Sequence, residues 1–332
     1  MGKCRRLGKR KIFVKNMNSE KKVRFLSLKI LVKSVLVQIF VAPLASAYYK
    51  FFIKHKGTYD IIICPHIGDF LYSVGYINAF VAEKKITNVR IICIKKYESL
   101  FQLYSNLNCE YYGIEKKKLD FLLLANTCQI GQRLFLLMGN NLVIEPANAF
   151  VLGNEYVKRY PHFNLRLCIK YGSFQLAENS PFDSPYVFKN NERTITSKKI
   201  LICPFAQSIE QKEIHQMLCM LIPKLLSQGY QVLVNGQDEQ FEKYNVTFVE
   251  WTLETFLENC KYLYSVIGVR SGIMDLAAFA KTKVIAIYPE QYELFNYYDL
   301  KELVIGNENI YQYVMCEDVN LDVEKILKLN ER

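Results

Sequence analysis

A chain of 332 residues, 51% hydrophobic and without a long Gly/Ser/Pro-rich or acidic tract, has room for two packed domains and excludes a mainly disordered protein. The net charge of +11 is not spread over it: residues 1–33 hold twelve Lys/Arg against Glu20 alone, and the rest balances 31 basic with 31 acidic residues. A neutral body excludes a broad nucleic-acid-binding face, which needs basic residues over a folded surface.

The basic start leads into an apolar run from Phe25 to Ala42, interrupted at helical spacing by Lys29 and Lys33 and ending near Pro43. The uncharged part, Ser34 to Tyr49, is shorter than the roughly 20 residues of a bilayer-spanning helix. The pattern suits a helix lying in a membrane interface with lysines toward anionic headgroups. A helix packed on the first domain and a short anchor are the alternatives. Residues 1–56 are therefore read as a basic amphipathic arm. The basic region is too long for an ordinary signal peptide, so a cytoplasmic protein, peripheral on the inner face of the cytoplasmic membrane, is expected.

The body then repeats a phrase. Asp60-Ile-Ile-Ile-Cys-Pro-His-Ile-Gly-Asp69 and Lys199-Ile-Leu-Ile-Cys-Pro-Phe-Ala-Gln-Ser208 each read as a buried strand, a polar loop and a helix. After the first come a helix around Phe70–Glu83, a strand Val89–Ile94, a helix near Tyr97–Ser105 and a strand Leu142–Glu145. After the second come a helix around Glu210–Gln228 and strands Gln231–Val234 and Val246–Val249. A helix Leu253–Cys260, a strand near Leu303–Ile305 and a helix Leu321–Leu329 are also expected. Strands alternating with helices imply βαβ units and parallel sheets. The fold class is α/β: two Rossmann-like domains with parallel sheets facing a central cleft, plus a basic N-terminal helical arm. The first domain spans 57–180 and the second 199–332, joined by the polar, proline-containing linker 181–198.

One stretch carries the chemistry. In Ser265–Pro289, an apolar strand turns through Arg270-Ser271-Gly272 into the small-residue helix of Met274, Leu276, Ala277, Ala278 and Ala280, and Val284–Ile287 is the next strand. The free N–H groups of that helix start, the Ser271 hydroxyl and the Arg270 guanidinium would converge on an anion. The alternative for Arg270 is a surface residue paired with an acid. Ten scattered cysteines include no C-x-x-C pair and no Cys/His cluster at zinc spacing, so they read as reduced thiols, several of them in apolar strands, with no structural metal.

The order of these motifs resembles the GT-B glycosyltransferases, most closely the heptosyltransferase-like family (glycosyltransferase family nine). Ser271-Gly272-Ile273-Met274-Asp275-Leu276-Ala277-Ala278 is similar to that family's second-domain signature, and His66-Ile67-Gly68-Asp69-Phe70-Leu71 to its first-domain Gly-Asp loop. Cys203-Pro204-Phe205-Ala206-Gln207-Ser208 with Lys212 matches its second-domain loop more loosely. The likeness covers roughly residues 58–290. Arg270 and Asp275 stand where the family has Asp and His, and Glu210-Gln211-Lys212-Glu213 replaces a Lys-Arg-Trp-Pro block, so the donor sugar does not carry over.

The resemblance implies inverting transfer from a nucleotide-diphosphate sugar, with a base at the Gly-Asp loop. Asp69 is that candidate, with His66 beside it; the alternative is that Asp69 caps its helix and His66 is a local hydrogen bonder. Arg270, Ser271, Gly272, Lys212 and Ser208 are candidates for the diphosphate. Asp275, Glu290, Gln291, Glu250 and Trp251 are candidates for sugar or nucleoside. Asp275 could instead hold Arg270 in place. No D-x-D triplet is present, so metal-independent transfer without a cofactor is expected, the nucleotide sugar being co-substrate and a cell-surface glycan or lipid-linked molecule the acceptor. A nucleotide-sugar epimerase and a non-catalytic nucleotide-binding protein are the competing readings.

Overall fold

The computed structural model describes residues 36–126, 129–144, 163–185, 198–206, 212–290, 295–316 and 318–331. The basic segment 1–33, Ser208, Gln291 and most of the linker lie outside the described residues. Contacts group the chain into two compact units, residues 1–56 with 117–141 and residues 57–116 with 142–332.

The larger unit holds both sheets. In the first half, β1 (Tyr59–Ile63), β2 (Val89–Ile94), β3 (Cys109–Ile114) and β4 (Asn141–Ile144) lie in the order β3-β2-β1-β4. The β1–β2 and β2–β3 pairs are parallel. β2 is buried at every residue, as expected of a strand covered on both faces. A buried ion pair ties β1 to β2: Arg90 donates from Nε to Asp60 Oδ1 and from Nη2 to Asp60 Oδ2, both at 2.9 Å. β1 leads into α2 (Ile67–Val74), followed by α3 (Ile77–Lys84). The single helix expected over Phe70–Glu83 is thus two. The break falls at Gly75, whose carbonyl accepts from Asp183 N–H at 2.8 Å. The helix expected near Tyr97–Ser105 shortens to α4 (Glu98–Phe101). The half-exposed strand β3 was not foreseen, because only its last residue, Ile114, is buried and its sequence lacks a continuous apolar run.

The second half is a six-stranded sheet, parallel at every pairing: β5 (Lys199–Cys203), β6 (Gln231–Asn235), β7 (Thr247–Val249), β8 (Ser265–Val269), β9 (Val284–Tyr288) and β10 (Ile310–Val314), in the order β10-β9-β8-β5-β6-β7. Strands β5 to β7 run outward one way and β8 to β10 the other, so the order reverses between β5 and β8. In the chain between β4 and β5 comes the short helix α7 (Leu165–Leu167), and after β5 helix α8 (Lys212–Ser227) buries Ile214, Met217, Leu218, Leu221, Ile222 and Leu225, the i, i+3, i+4 stripe of an amphipathic helix. Helices α9 (Leu253–Cys260) and α10 (Gly272–Phe279) make the crossovers into β8 and β9, and α12 (Val319–Glu331) follows the last strand. The strand expected at Leu303–Ile305 is corrected to helix α11 (Leu300–Leu303). Asp299 caps it by accepting from the N–H groups of Lys301 and Glu302, and the last strand forms only after Gly306 turns the chain at φ +84°.

The smaller unit is helical. Its α1 (Ala42–Tyr48) continues on both sides as π-helical turns, Val37–Val41 and Tyr49–Ile53. It packs with α6 (Gln129–Leu137) through Tyr49 and Phe135, whose ring centroids lie 5.3 Å apart, and Tyr48 meets Phe121 of α5 (Lys116–Asn126) edge-on. The stretch between β3 and β4, assigned by sequence to the first Rossmann-like domain, therefore packs with the amino-terminal helix. Among the described residues no helix is long and apolar enough to cross a membrane.

Candidate active site

Ligands in open parallel sheets bind outside the carboxyl ends of strands where the strand order reverses. In the first half that edge carries the loop from β1 to α2. In the second it carries the loops after β5 and β8. The structure brings the β1 and β8 loops together: a Cβ on Gly272 would stand 2.8 Å from Ile67 Cβ and 3.0 Å from the Gly68 nitrogen, and a Cβ on Gly68 would stand 3.0 Å from Asp275 Oδ2. Neither position tolerates a side chain without displacement, and that lets the starts of α2 and α10 approach so closely.

Asp69 lies in the first turn of α2, two residues inside its start; the cap position belongs to His66, which makes no side-chain capping bond. Asp69 is therefore not the helix cap. A carboxylate in the first turn is favoured by the helix dipole. Its Oδ2 receives two contacts, from Cys64 Sγ at 3.1 Å and from His66 Nδ1 at 3.1 Å. Asp69 is nearly buried, whereas the His66 side chain is 59% exposed. The pair thus runs from a shielded carboxylate to an imidazole facing outward. Burial first, then the Asp69 charge, pushes the Cys64 thiol well above its ordinary range, so it stays protonated and donates. Tyr97 closes the loop from below, donating to the Pro65 carbonyl at 2.9 Å. Cys64 is a site residue that local sequence did not mark, its one signal being its position at the strand end before Pro65.

The turn after β8 is built differently from expectation. Arg270, expected to face a diphosphate, is turned inward. Its Nη1 donates to Asp275 Oδ2 at 2.9 Å and to the Ser271 carbonyl at 2.8 Å. Its Nη2 donates to Asp275 Oδ1 at 2.8 Å, and Nε to the Tyr298 carbonyl at 2.9 Å. Tyr72 of α2 also donates to Asp275 Oδ1, at 2.6 Å. Asp275, a candidate sugar ligand by sequence, is buried and committed to Arg270 and Tyr72. Burial leaves its carboxyl raised above the ordinary value, and Arg270 and the Tyr72 hydroxyl offset only part of that. The same ion pair keeps Arg270 charged despite its burial. One helical turn separates the two residues, which is why a bidentate pair closes within one loop. Tyr72 was also not foreseen, since nothing in its local sequence marks a partner 203 residues away.

One polar group at this turn is left without a partner, and it lies at the helix start. Ser271 caps α10 in extended backbone, yet its hydroxyl makes no capping bond and its Oγ is buried without a hydrogen-bond partner. An orphaned hydroxyl beside the first N–H groups of a helix suits a phosphate oxygen. Along the same sheet edge, the half-exposed Phe205 follows β5 and stands 3.1 Å from where a Cβ on Gly236 would lie. His215 is held behind it, Nε2 at 3.0 Å from the Pro204 carbonyl and Nδ1 at 3.3 Å from Asp238. Lys212 opens α8 and is exposed; Glu250 and Glu290 are exposed at the ends of β7 and β9. Trp251 packs edge-on against Phe256 of α9.

Cys64, His66 and Asp69 each offer a ligand atom, all within 4.8 Å of one another. Tetrahedral zinc with ordinary bond lengths would hold sulfur and oxygen about 3.6 Å apart, so the observed 3.1 Å contact would have to open slightly.

No family model matches the chain, and no curated protein matches it in sequence. Solved structures do. The E. coli ADP-heptose lps heptosyltransferase II is 13% identical with a TM-score of 0.54, covering 82% of this chain and 98% of that one. The E. coli heptosyltransferase WaaC with ADP is 10% identical at TM-score 0.50, with 82% and 98% covered. Its structure with ADP-2-deoxy-2-fluoro heptose is 10% identical at 0.51, with 82% and 99% covered. The fold is that of the heptosyltransferases. The resemblance that the motif order implied is thereby met at the level of architecture, across both halves of the body.

Proposed function

We propose that the protein is a glycosyltransferase that moves a sugar from a nucleotide-diphosphate sugar to a cell-surface glycan or lipid-linked acceptor, with inversion and without a metal. The observation that carries this is the meeting of two loops at the carboxyl edges of two parallel sheets, one bearing Asp69 and His66, the other a helix start with an orphaned hydroxyl. Asp69, alone or through the outward-facing His66, takes the proton of the acceptor hydroxyl. The acceptor oxygen then bonds to the anomeric carbon while the bond from that carbon to the diphosphate oxygen breaks. The first N–H groups of α10 and the Ser271 hydroxyl receive the leaving diphosphate. Arg270 acts as a positioning residue that holds this turn through Asp275. Lys212 at the start of α8, with Ser208 beyond the described residues assigned by sequence alone, supplies further diphosphate contacts. Glu250, Trp251 and Glu290 lie along the same sheet edge for sugar or nucleoside, Gln291 beyond the described residues is assigned to the same role by sequence alone, and the Phe205 ring offers a face for the base. The enzyme works at the inner face of the cytoplasmic membrane.

The test is a thermal-shift screen of nucleoside diphosphates and their sugars, followed by transfer assays with radiolabelled donors on membrane extracts. A donor that stabilises the protein and is turned over in an Asp69-dependent way supports the proposal; the absence of both binding and transfer with every common donor would defeat it. A non-catalytic nucleotide-binding protein is the second reading, favoured by the inward-turned Arg270. Tight nucleotide binding with no turnover would select it.

A further inference from the structure

We infer that the smaller unit is a membrane-docking module in which α5 and α6 join the amino-terminal helix against an anionic bilayer. Of fifteen exposed large apolar side chains among the described residues, nine lie in this unit, though it holds only 44 of the 254 described residues. Leu44 is 64% exposed, Phe51 and Phe52 72% each, and Leu137 82%. Scattered single residues need no account, but a cluster of this size does.

The pattern on the amino-terminal helix is two-sided. Ala42, Ala45, Tyr49 and Ile53 are buried at spacings of three and four, forming the face that packs within the unit. Leu36, Ile39, Phe40, Leu44 and Phe51 recur at similar spacing on the opposite side and stay exposed. A helix with apolar side chains on two opposite faces calls for apolar surroundings on both. Among the described residues, protein covers only one. On α6, Ile130 and Leu137 stand two turns apart on one exposed stripe, and Leu124 is exposed on α5.

Charge decides the occupant. Residues 1–56 and 117–141 carry eighteen Lys/Arg against only Glu20 and Asp120, a net of +16, which leaves −5 for the rest of the chain. Lys50, Lys117, Lys118 and Arg133 are exposed on the same helices as the apolar residues. Aromatic and leucine side chains fringed by cations fit the headgroup boundary of a bilayer rich in anionic lipid. A second copy of the chain, with the same +16, would instead meet like charge. The inference deepens the membrane part of the proposed function and rests on that part alone. Vesicle binding needs no sugar donor, so its failure and the failure of glycosyl transfer are distinguishable.

The experiment is co-sedimentation of the full chain with vesicles of phosphatidylcholine and phosphatidylglycerol, against phosphatidylcholine alone, over a salt series. Two variants are compared, Phe51→Glu with Phe52→Glu, and Leu124→Glu with Leu137→Glu. All four side chains are exposed, so circular dichroism and unfolding should match the parent. Binding only to the anionic vesicles, weakened by salt and reduced roughly tenfold or more in both variants, is the expected result. Unchanged binding in the Leu124/Leu137 variant would overturn the part given to α5 and α6. Absence of binding, or lipid-free self-association that the variants abolish, would overturn the inference entirely.

Discussion

Replacing Arg270 by methionine tests the inward pairing directly. The guanidinium makes two contacts of 2.8 and 2.9 Å with an Asp275 carboxylate that is 2% exposed. Without it, Asp275 keeps only the Tyr72 hydroxyl, whereas the Tyr298 carbonyl still accepts from Tyr288 at 3.0 Å and the Ser271 carbonyl from Met274 N–H at 2.9 Å. The loss therefore concentrates on one buried charge. Breaking such a pair from one side costs about 3–5 kcal/mol, while replacing both partners by apolar residues of similar volume is often near neutral. Urea unfolding should show Arg270→Met strongly destabilised and Arg270→Met/Asp275→Leu closer to the parent, a coupling of at least ~2 kcal/mol in the double-mutant cycle. Nucleotide affinity, measured where both proteins are folded, should fall only as far as the turn is disturbed. An Arg270→Met variant as stable as the parent but unable to bind nucleotide would refute this reasoning and return Arg270 to the ligand.

Asp69→Asn should lower kcat by roughly 10²–10⁴-fold with little change in donor affinity, and His66→Gln should shift the pH profile; full activity in Asp69→Asn would remove it as the base. Gly272→Ala forces a Cβ to within 2.8 Å of Ile67, so donor binding should weaken and stability fall by roughly 1–3 kcal/mol; an unperturbed variant would mean the two loops are not held together. Burial pushes the Cys93 and Cys203 thiols up to about 12, so iodoacetamide at pH 8 should label them only after unfolding. Because the folded thiols hold their protons above the range where unfolded ones lose them, stability from these groups is complete below about pH 9 and should fall as pH rises toward 12. Chelation should leave transfer unchanged, while added Zn²⁺ should inhibit by engaging Cys64, His66 and Asp69, and Cys64→Ala should relieve that inhibition; a chelator-sensitive rate would contradict metal independence.

Much of the architecture was legible in the chain. The repeated Ile-Cys-Pro strands, β2 and the Ser-Gly helix were plain because strands buried on both faces are written as unbroken apolar runs, and small residues mark a helix lying close to a sheet. The edge elements were not. β3 alternates too weakly, and Leu303–Ile305 reads as a strand until Asp299 caps it as helix.

The site divides in the same way. Composition and local spacing alone determined that Asp69 and the Arg270-Ser271-Gly272 turn follow buried strands, and that the amino-terminal arm carries the charge. Only the tertiary structure decided what those residues face. Asp275 takes Arg270 into a bidentate pair that makes it a buried strut, and Tyr72, distant in sequence, donates to the same carboxylate. Likewise the basic arm was visible by itself, but its apolar partner surface on α5 and α6 was not. Each helix is only moderately apolar alone, and an exposed face exists only once the other faces have been buried.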